Sequence, residues 1–148
     1  MVKVYLVQHG KSLPENVDPK RPLSAEGIAE TERISLFLKR IGLKVDQILH
    51  STRLRAKQTA EIFAKNLNVK NILELDILGP NDDPKLLLER LEKIERDVMV
   101  VGHLPHLSRT LSVLLEVEKE VLKFTYSGVV CLNLENRIIE WYMTPDLV

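Results

Sequence analysis

Two short apolar runs in this chain each stop at a histidine. The first run, residues 4–7, leads through a glutamine to His9, and the second, residues 98–101, leads through a glycine to His103. Short, continuous apolar runs are typical of strands buried on both faces of a parallel sheet. Open α/β sheets bind their ligands at the carboxyl ends of such strands. We therefore expect the two imidazoles to lie at the same edge of one sheet.

Strand-like and helix-like patterns alternate along the rest of the chain. The expected strands are residues 2–8, 45–49, 72–78 and 98–101, with a C-terminal hairpin of 124–134 and 138–143 around Glu135-Asn136. The expected helices run from Ser24 to Ile41, from Ser51 or Thr52 to Leu67, from Asp83 to Ile94 and from Leu104 to Leu115. Such alternation predicts a single domain, residues 1–148, with a three-layer α/β/α architecture and a mostly parallel central sheet.

Two of these helices have recognisable ends. Ser24 is a typical N-cap residue, and Gly42 is a typical stop for the same helix. Its apolar residues at helical spacing, which we expect to face the core, are Ile28, Ile34, Phe37, Leu38 and Ile41. Further along, Asp83 precedes Pro84, as an N-cap precedes a first helical proline.

The composition argues against several classes of partner. The chain carries 21 basic and 21 acidic side chains, so no net field draws it to nucleic acid or to an anionic membrane. No apolar run approaches the ~20 residues that span a bilayer, and the first residues lack the pattern of a signal peptide. The single cysteine, Cys131, suits a reducing compartment and is expected in the core. We therefore expect a cytoplasmic protein whose cationic site, if present, is local.

Residues 51–59 (STRLRAKQT) supply such a local site between the two histidine motifs. Arg55 falls in the first turn of the expected helix, where free N–H groups and the helix dipole favour an anion. Its planar guanidinium can bind two phosphate oxygens. A neutral histidine can attack phosphorus when its second nitrogen is held by a hydrogen-bond acceptor. His9, Arg55 and His103 together therefore point to phosphoryl transfer through a histidine.

Five segments of the chain, taken in order, carry a family resemblance. They are His9-Gly10, residues 21–27 (RPLSAEG), residues 51–59, residues 102–105 (GHLP) and the C-terminal residues 141–145 (WYMTP). With them the sequence resembles the histidine phosphatase superfamily, also called the phosphoglycerate-mutase-like family, and within it the short SixA-type branch. The resemblance implies a phosphoglycerate-mutase-like fold.

The resemblance also implies roles for particular residues. His9 would be the nucleophile that is transiently phosphorylated, Arg55 would bind the phosphoryl group, and His103 would complete the phosphate pocket. The residues expected around the phosphate are Gln8, His9, Lys11, Ser51, Arg55 and His103. The family needs no metal or organic cofactor. Its short members have an open site, which suits a phosphorylated side chain of another protein or a small phosphoester.

One position departs from the family pattern. The residue before the nucleophile is normally arginine, and here it is Gln8, which can donate hydrogen bonds but carries no charge. Loss of one charge-assisted contact to the transferring group costs ~2–4 kcal/mol in the transition state. Lys11, Arg21 or Arg53 could supply the missing charge, and the sequence does not distinguish among them. Gln8 therefore leaves open a degenerate, non-catalytic module that binds phosphate or a partner.

A general acid is less clearly marked. Asp82 and Asp83 follow the third expected strand, and Asp83 fits better as the N-cap before Pro84, which leaves Asp82 as the candidate. A protonated imidazole leaves phosphorus without much help from an acid. The weak acid signal therefore favours phosphohistidine over alkyl phosphates as substrate.

A metal-dependent hydrolase is a further alternative. His9, His103 and His106 could be drawn as ligands of one metal ion. However, His103 and His106 lack the spacing of a helical ligand pair, and Pro105 stands between them. Neither the oligomeric state nor the physiological substrate follows from the sequence.

Overall fold

The computed structural model describes residues 2–148 of the chain. Its strands are β1 (Lys3–Gln8), β2 (Gln47–His50), β3 (Ile72–Glu74), β4 (Val98–Gly102), β5 (Val129–Asn133) and β6 (Ile138–Met143). Its helices are α1 (Ala25–Arg40), α2 (Leu54–Leu67), α3 (Pro84–Glu92) and α4 (His106–Leu115), followed by a 3-10 turn at Pro145–Leu147. The predicted alternation of strands and helices is therefore present over the described residues.

The strands form one mixed sheet in the order β3-β2-β4-β1-β5-β6. The first four strands in this order are parallel to one another, and β5 and β6 are antiparallel to their neighbours. β1 and β4 lie side by side in the centre, with Gln8 opposite Gly102. Because these two strands are parallel, the residues that follow them emerge at the same edge of the sheet.

Helices cover both faces of this sheet. Successive residues of β1 point to opposite faces. Leu6 belongs to the buried cluster that contains Leu87 of α3, together with residues of α4. Val7 belongs to a second cluster that contains Ile34 of α1, residues of α2 and the buried Cys131. The architecture is the predicted three-layer α/β/α arrangement, and the prediction of a core position for the cysteine is confirmed.

The predicted starts of α1 and α3 are confirmed. The Ser24 hydroxyl accepts a hydrogen bond from the Gly27 N–H at 3.0 Å. The Asp83 carboxylate likewise accepts one from the Lys85 N–H at 3.0 Å. Each side chain thereby satisfies one of the N–H groups that a helix start leaves without a partner.

Helices α2 and α4 begin later than predicted. The N-cap of α2 is Arg53, and neither Ser51 nor Thr52, because the Ser51 hydroxyl lies against a histidine ring of the site described below. The predicted start of α4 at residue 104 is also wrong. Helical backbone is disfavoured there by Pro105, which follows it, and the helix starts after the proline.

Two residues predicted on the inner face of α1 lie on the outside. Ile28 is 43% exposed and Ile41 is 57% exposed. The buried face of α1 includes the small or polar residues Gly27, Thr31 and Ser35, which a search for apolar spacing overlooks. This face packs against α2 and the loop before α1, where small side chains allow a close approach.

The third and fifth strands are shorter than predicted. β3 ends at Glu74 because the chain then leaves the sheet edge to bury Leu78 in the cluster that contains α3. β5 starts at Val129 because the preceding residues form a turn, in which the Gly128 N–H donates to the Thr125 carbonyl at 3.0 Å.

Candidate active site

The carboxyl ends of β1 and β4 bring the two histidines of the sequence motifs together. The backbone N–H of His9 donates to the Gly102 carbonyl at 3.0 Å, and the centroids of the His9 and His103 rings are 5.1 Å apart. Arg55, in the first turn of α2, reaches the same place, since its Nε lies 3.4 Å from His9 Nε2. These three residues form one cluster, while their catalytic roles stay predictions.

The neighbouring residue orients the His9 ring. Nδ1 lies 2.7 Å from the Gly10 carbonyl oxygen, which can only accept, so Nδ1 carries the ring proton and donates it. Burial lowers the pKa of His9 to about 4; the bond to Gly10 opposes this, and the charges of Arg55 and Arg21 add to it. His9 is therefore neutral near pH 7 and keeps a lone pair on Nε2.

Ser51 fixes the ring of His103. Its Oγ lies 2.5 Å from His103 Nε2 and accepts a hydrogen bond from the Arg53 N–H at 3.3 Å. The Ser51 hydroxyl can donate to Nε2, and a His103 ring that accepts this bond carries its proton on Nδ1. Nδ1 is buried, and no group in residues 2–148 accepts its proton. His103 Nδ1 is thus left without a partner in the described chain, and the Ser51 hydroxyl contacts the other nitrogen of the same ring.

Burial also keeps His103 uncharged. It is the main cause that lowers the pKa of His103 to about 3, and the nearby groups of His9, Arg55 and Arg53 contribute to the same shift. Both histidines of the cluster are therefore neutral, and arginines supply its positive charge.

Three cations were expected as possible replacements for the arginine absent at position 8. Two of them, Arg21 and Arg53, lie near the cluster. Burial is the main cause of the lowered pKa values of His9 and Arg55, and the charge of Arg21 adds to the lowering of both. The charge of Arg53 lowers the pKa of Arg55 and of His103. Guanidinium groups stay charged under such repulsion, so the cluster holds three arginine charges.

The loop before α1 brings Arg21 to this position. Its two ends run antiparallel, with the Leu13 N–H donating to the Pro22 carbonyl at 2.8 Å. The Arg21 guanidinium donates from Nη2 to the Ser12 hydroxyl at 3.0 Å and from Nε to the Leu13 carbonyl at 3.3 Å. The loop thereby holds Arg21 where its charge acts on His9.

Lys11, predicted at the phosphate, is directed elsewhere. Its Nζ lies 2.6 Å from a Glu26 oxygen and 3.7 Å from a Glu30 oxygen, both on α1. It is not among the charges that act on His9. The structure therefore does not bring the Lys11 ammonium to the cluster.

Gln8 lies at the end of β1 with its side chain buried. Its backbone carbonyl accepts a hydrogen bond from the Ser127 N–H at 2.9 Å. Its side-chain oxygen has no hydrogen-bond partner within the described chain. Gln8 thus contributes an unpaired amide oxygen and no charge at the position where the family that the sequence resembles carries arginine.

Asp82, predicted as a possible general acid, closes a turn instead. Its Oδ2 accepts a hydrogen bond from the Gly79 N–H at 2.7 Å. Its charge raises the pKa of His106, against a larger lowering by burial, and it is not among the charges that act on His9 or His103. The geometry gives Asp82 no contact with the cluster.

Two positions that hold the cluster together were not assigned from the sequence. The Thr59 hydroxyl donates to the Arg55 carbonyl at 2.7 Å and accepts from the Gly10 N–H at 2.9 Å, so it joins α2 to the turn that follows His9. A Cβ at Gly10 would lie 2.9 Å from Thr31 Oγ1 and 3.0 Å from Ser127 Oγ. Thr59 does end the 51–59 motif, which was the only signal available for it.

One aromatic ring borders the cluster on its open side. The ring centroid of Tyr126 lies 5.7 Å from that of His9, and Tyr126 is 41% exposed, whereas His9 is 6% exposed. Tyr126 was not among the expected site residues, and residues 124–134 were expected to form a strand.

Other parts of the described chain offer little that competes with this cluster. Within residues 2–148, no group of three or more His, Cys, Asp or Glu side chains is placed to hold a metal ion. None of the described helices has the length and apolar character needed to cross a membrane. A cavity of about 700 Å³ lies between α3, α4 and the β5–β6 turn, beside Val2 at the opposite end of β1.

Comparisons with known proteins agree with the sequence motifs. The family model for the histidine phosphatase superfamily (branch 1) matches residues 4–78, half of the chain. Phosphohistidine phosphatase SixA of Escherichia coli (strain K12) is 29% identical over 153 aligned positions, covering 97% of this chain and 94% of SixA. The similarity to SixA therefore spans nearly the whole chain and includes the His103 motif.

Solved structures show the same fold. The protein histidine phosphatase SixA complexed with tungstate has a TM-score of 0.86 at 26% identity, covering 98% of both chains. The putative phosphohistidine phosphatase SixA from Agrobacterium tumefaciens has a TM-score of 0.81 at 27% identity, covering 97% of both. Phosphoserine phosphatase from Entamoeba histolytica, at 16% identity and a TM-score of 0.76, shares the fold. The chain therefore belongs to the histidine phosphatase superfamily, branch 1, and its function is that of a phosphatase.

Proposed function

We propose that this phosphatase removes the phosphoryl group from protein phosphohistidine by way of a phosphorylated His9. The state of the His9 ring is the observation that carries the proposal. Its Nδ1–H is bound to the Gly10 carbonyl, the ring is neutral, and Nε2 faces Arg55 at 3.4 Å. A nucleophilic histidine needs a free lone pair, a fixed tautomer and a nearby cation for the phosphoryl oxygens.

The reaction proceeds in two displacements at phosphorus. Phosphoryl oxygens accept hydrogen bonds from the Arg55 guanidinium and from His103 Nδ1–H, which replaces the long contact between Arg55 and His9. His9 Nε2 attacks phosphorus as the P–N bond of the substrate breaks, and the electron pair of that bond stays on the departing imidazole. Water then attacks the phosphorylated His9, which releases inorganic phosphate and restores the neutral ring.

Two observations favour phosphohistidine as the substrate. The relative that matches nearly the full length of this chain is named a phosphohistidine phosphatase, and a solved SixA structure is complexed with tungstate, a phosphate-like oxyanion. No carboxylate is among the charges that act on His9. An alkoxide leaving group needs a general acid, whereas an imidazole that is protonated on its second nitrogen departs as a neutral ring.

Trapping the phosphoenzyme tests the nucleophile. The wild type and the His9→Asn variant are mixed with a ³²P-labelled histidine-phosphorylated peptide and quenched within the first turnover. We expect the wild type to carry acid-labile, base-stable label and the His9→Asn variant to carry none and to lose turnover. His50→Asn is the matched control, because His50 also ends a strand and its Nδ1 also lies 2.8 Å from the next carbonyl.

The outcomes separate the proposal from its alternatives. Label or turnover that survives in His9→Asn would refute the assignment of the nucleophile. A wild type that binds tungstate but hydrolyses neither phosphohistidine nor p-nitrophenyl phosphate would support the non-catalytic module. Turnover abolished by EDTA would support the metal-dependent alternative.

A further inference from the structure

The ring of Tyr126 has a position that the proposed mechanism does not use. It lies 5.7 Å from the His9 ring, centroid to centroid, with 47° between the ring planes. Tyr126 also influences the pKa of Arg55, which places it near both residues. Tyr126 is nevertheless 41% exposed, so its ring extends from the nucleophile towards solvent.

A bonded turn holds this exposed ring in place. The next residue, Ser127, has left-handed backbone (φ 59°), and its N–H donates to the Gln8 carbonyl at 2.9 Å. The Ser127 hydroxyl lies 2.7 Å from the Thr31 hydroxyl of α1. The turn is thereby attached both to the strand that carries His9 and to the helix beside it. The position of Tyr126 follows from these bonds and not from a loose loop.

We propose that Tyr126 is the specificity residue of this site, on whose ring the departing imidazole of the phosphohistidine substrate packs. This inference rests on the proposed function. Phosphorus sits about 3 Å from the attacking Nε2 before transfer. In an in-line displacement the leaving group lies beyond phosphorus, on the side away from the nucleophile. His9 is almost buried and the Tyr126 ring beside it is 41% exposed, so a peptide substrate would bring its imidazole in from solvent past the Tyr126 ring.

The chemistry of the leaving group matches an aromatic platform. The imidazole of phosphohistidine is planar, and it is positively charged once its second nitrogen is protonated. Aromatic rings attract both another ring and a nearby cation through their negative faces. Breaking the P–N bond returns the electron pair to the ring nitrogen, so the ring leaves uncharged and the cation–π attraction ends with the reaction. Arg55 and His103 meet phosphoryl oxygens and so cannot distinguish one leaving group from another.

Comparison of two P–N substrates isolates the contribution of the ring. A histidine-phosphorylated peptide has an imidazole leaving group, and phosphoramidate has ammonia, with no ring. We expect Tyr126→Leu, which keeps apolar bulk but removes the aromatic face, to lower kcat/KM for the peptide about 10-fold and to leave that for phosphoramidate unchanged. Tyr126→Phe is expected to behave as the wild type on both substrates. Thr125→Ala is the matched control on the same turn and is expected to change neither.

Each other outcome has a definite meaning. Equal losses on both substrates in Tyr126→Leu, or no loss on the peptide, would overturn the platform. A loss in Tyr126→Phe as large as in Tyr126→Leu would assign the effect to the hydroxyl and would overturn it too, as would the same loss in Thr125→Ala. A wild type that hydrolyses phosphoramidate but not the peptide would instead refute the proposed substrate. Tungstate protection against thermal unfolding, expected in all variants, checks that the phosphate pocket is intact.

Discussion

The missing charge at Gln8 can be tested by restoring it with and without Arg21. Arg21 is held beside His9 by hydrogen bonds to Ser12 and Leu13, and its charge acts on both His9 and Arg55. We therefore expect Arg21 to supply part of the positive charge that the arginine before the nucleophile supplies to the phosphoryl group in the family. The perturbation is a double-mutant cycle of Gln8→Arg and Arg21→Asn. Asparagine is chosen because Arg21 has a positive φ of 49°, which asparagine tolerates better than most residues.

The expected magnitudes follow from the loss of one preorganised donor. Arg21→Asn alone should lower kcat/KM about 10²-fold. Gln8→Arg alone should change it less than about 3-fold, because the cluster already contains three guanidinium groups and a fourth is repelled by them. In the Arg21→Asn background, Gln8→Arg should restore activity by about 10-fold or more. The coupling between the two positions would then be at least about 0.7 kcal/mol, and about 1.4 kcal/mol where Gln8→Arg alone has no effect.

Steady-state hydrolysis of p-nitrophenyl phosphate by the four proteins measures this cycle. Lys11→Gln is the control for loss of a nearby lysine, because its ammonium is bound by Glu26 and Glu30, and it should retain activity. Full activity in Arg21→Asn, or a loss in Lys11→Gln that Gln8→Arg repairs, would refute the reasoning. A large gain from Gln8→Arg in the otherwise wild-type chain would show that the defect is not compensated.

Three further predictions concern the same cluster. Arg55→Ala and His103→Ala should each lower kcat about 10²-fold in a steady-state assay, and wild-type rates in either variant would remove that residue from the site. Tungstate at 100 times its Kd should stabilise the wild type by about 2.7 kcal/mol in thermal unfolding, and Arg55→Ala should lose most of this gain. The pKa of His9 falls from 6.5 in the unfolded chain to about 4 in the folded one, so the unfolded chain binds more protons below pH 6.5. The free energy of unfolding is therefore highest above pH 6.5 and falls as the pH drops towards 4. The loss from His9 alone is up to about 3 kcal/mol, and urea unfolding at pH 7 and pH 4.5 should show a smaller difference in His9→Asn than in the wild type.

Much of the site followed from the sequence because its geometry is set by short, local signals. The apolar runs before His9 and His103 fixed two central strands, and parallel pairing then placed both histidines at one edge. Arg55 needed only to stand in the first turn of the next helix. That helix begins at Leu54, one or two residues later than predicted, and Arg55 still lies in its first turn. Each of these predictions depends on a pattern of a few residues, which the sequence contains in full.

The features that the sequence did not predict depend on contacts between distant residues. The turn that carries Tyr126 replaces part of an expected strand, because Ser127 bonds to Gln8 and Thr31, far away in sequence. The exposed positions of Ile28 and Ile41 likewise depend on where α2 and the preceding loop meet α1. Apolar spacing identifies the helix but does not contain this information.

The charge state of the cluster explains why only some cations can replace the arginine absent at Gln8. Burial keeps His9 and His103 neutral near pH 7. Protonation of His9 would remove the lone pair with which it attacks phosphorus, and protonation of His103 would end its acceptance of a hydrogen bond from Ser51. Neither histidine can therefore supply the missing charge. A replacement must stay charged beside other cations, and a guanidinium does so more readily than an ammonium. Lys11, with its shorter reach and its carboxylate partners, fails on position as well. We therefore expect the replacing charge on arginines of the two segments that approach the cluster, the loop before α1 and the start of α2. The positions of these segments are determined only in the folded chain.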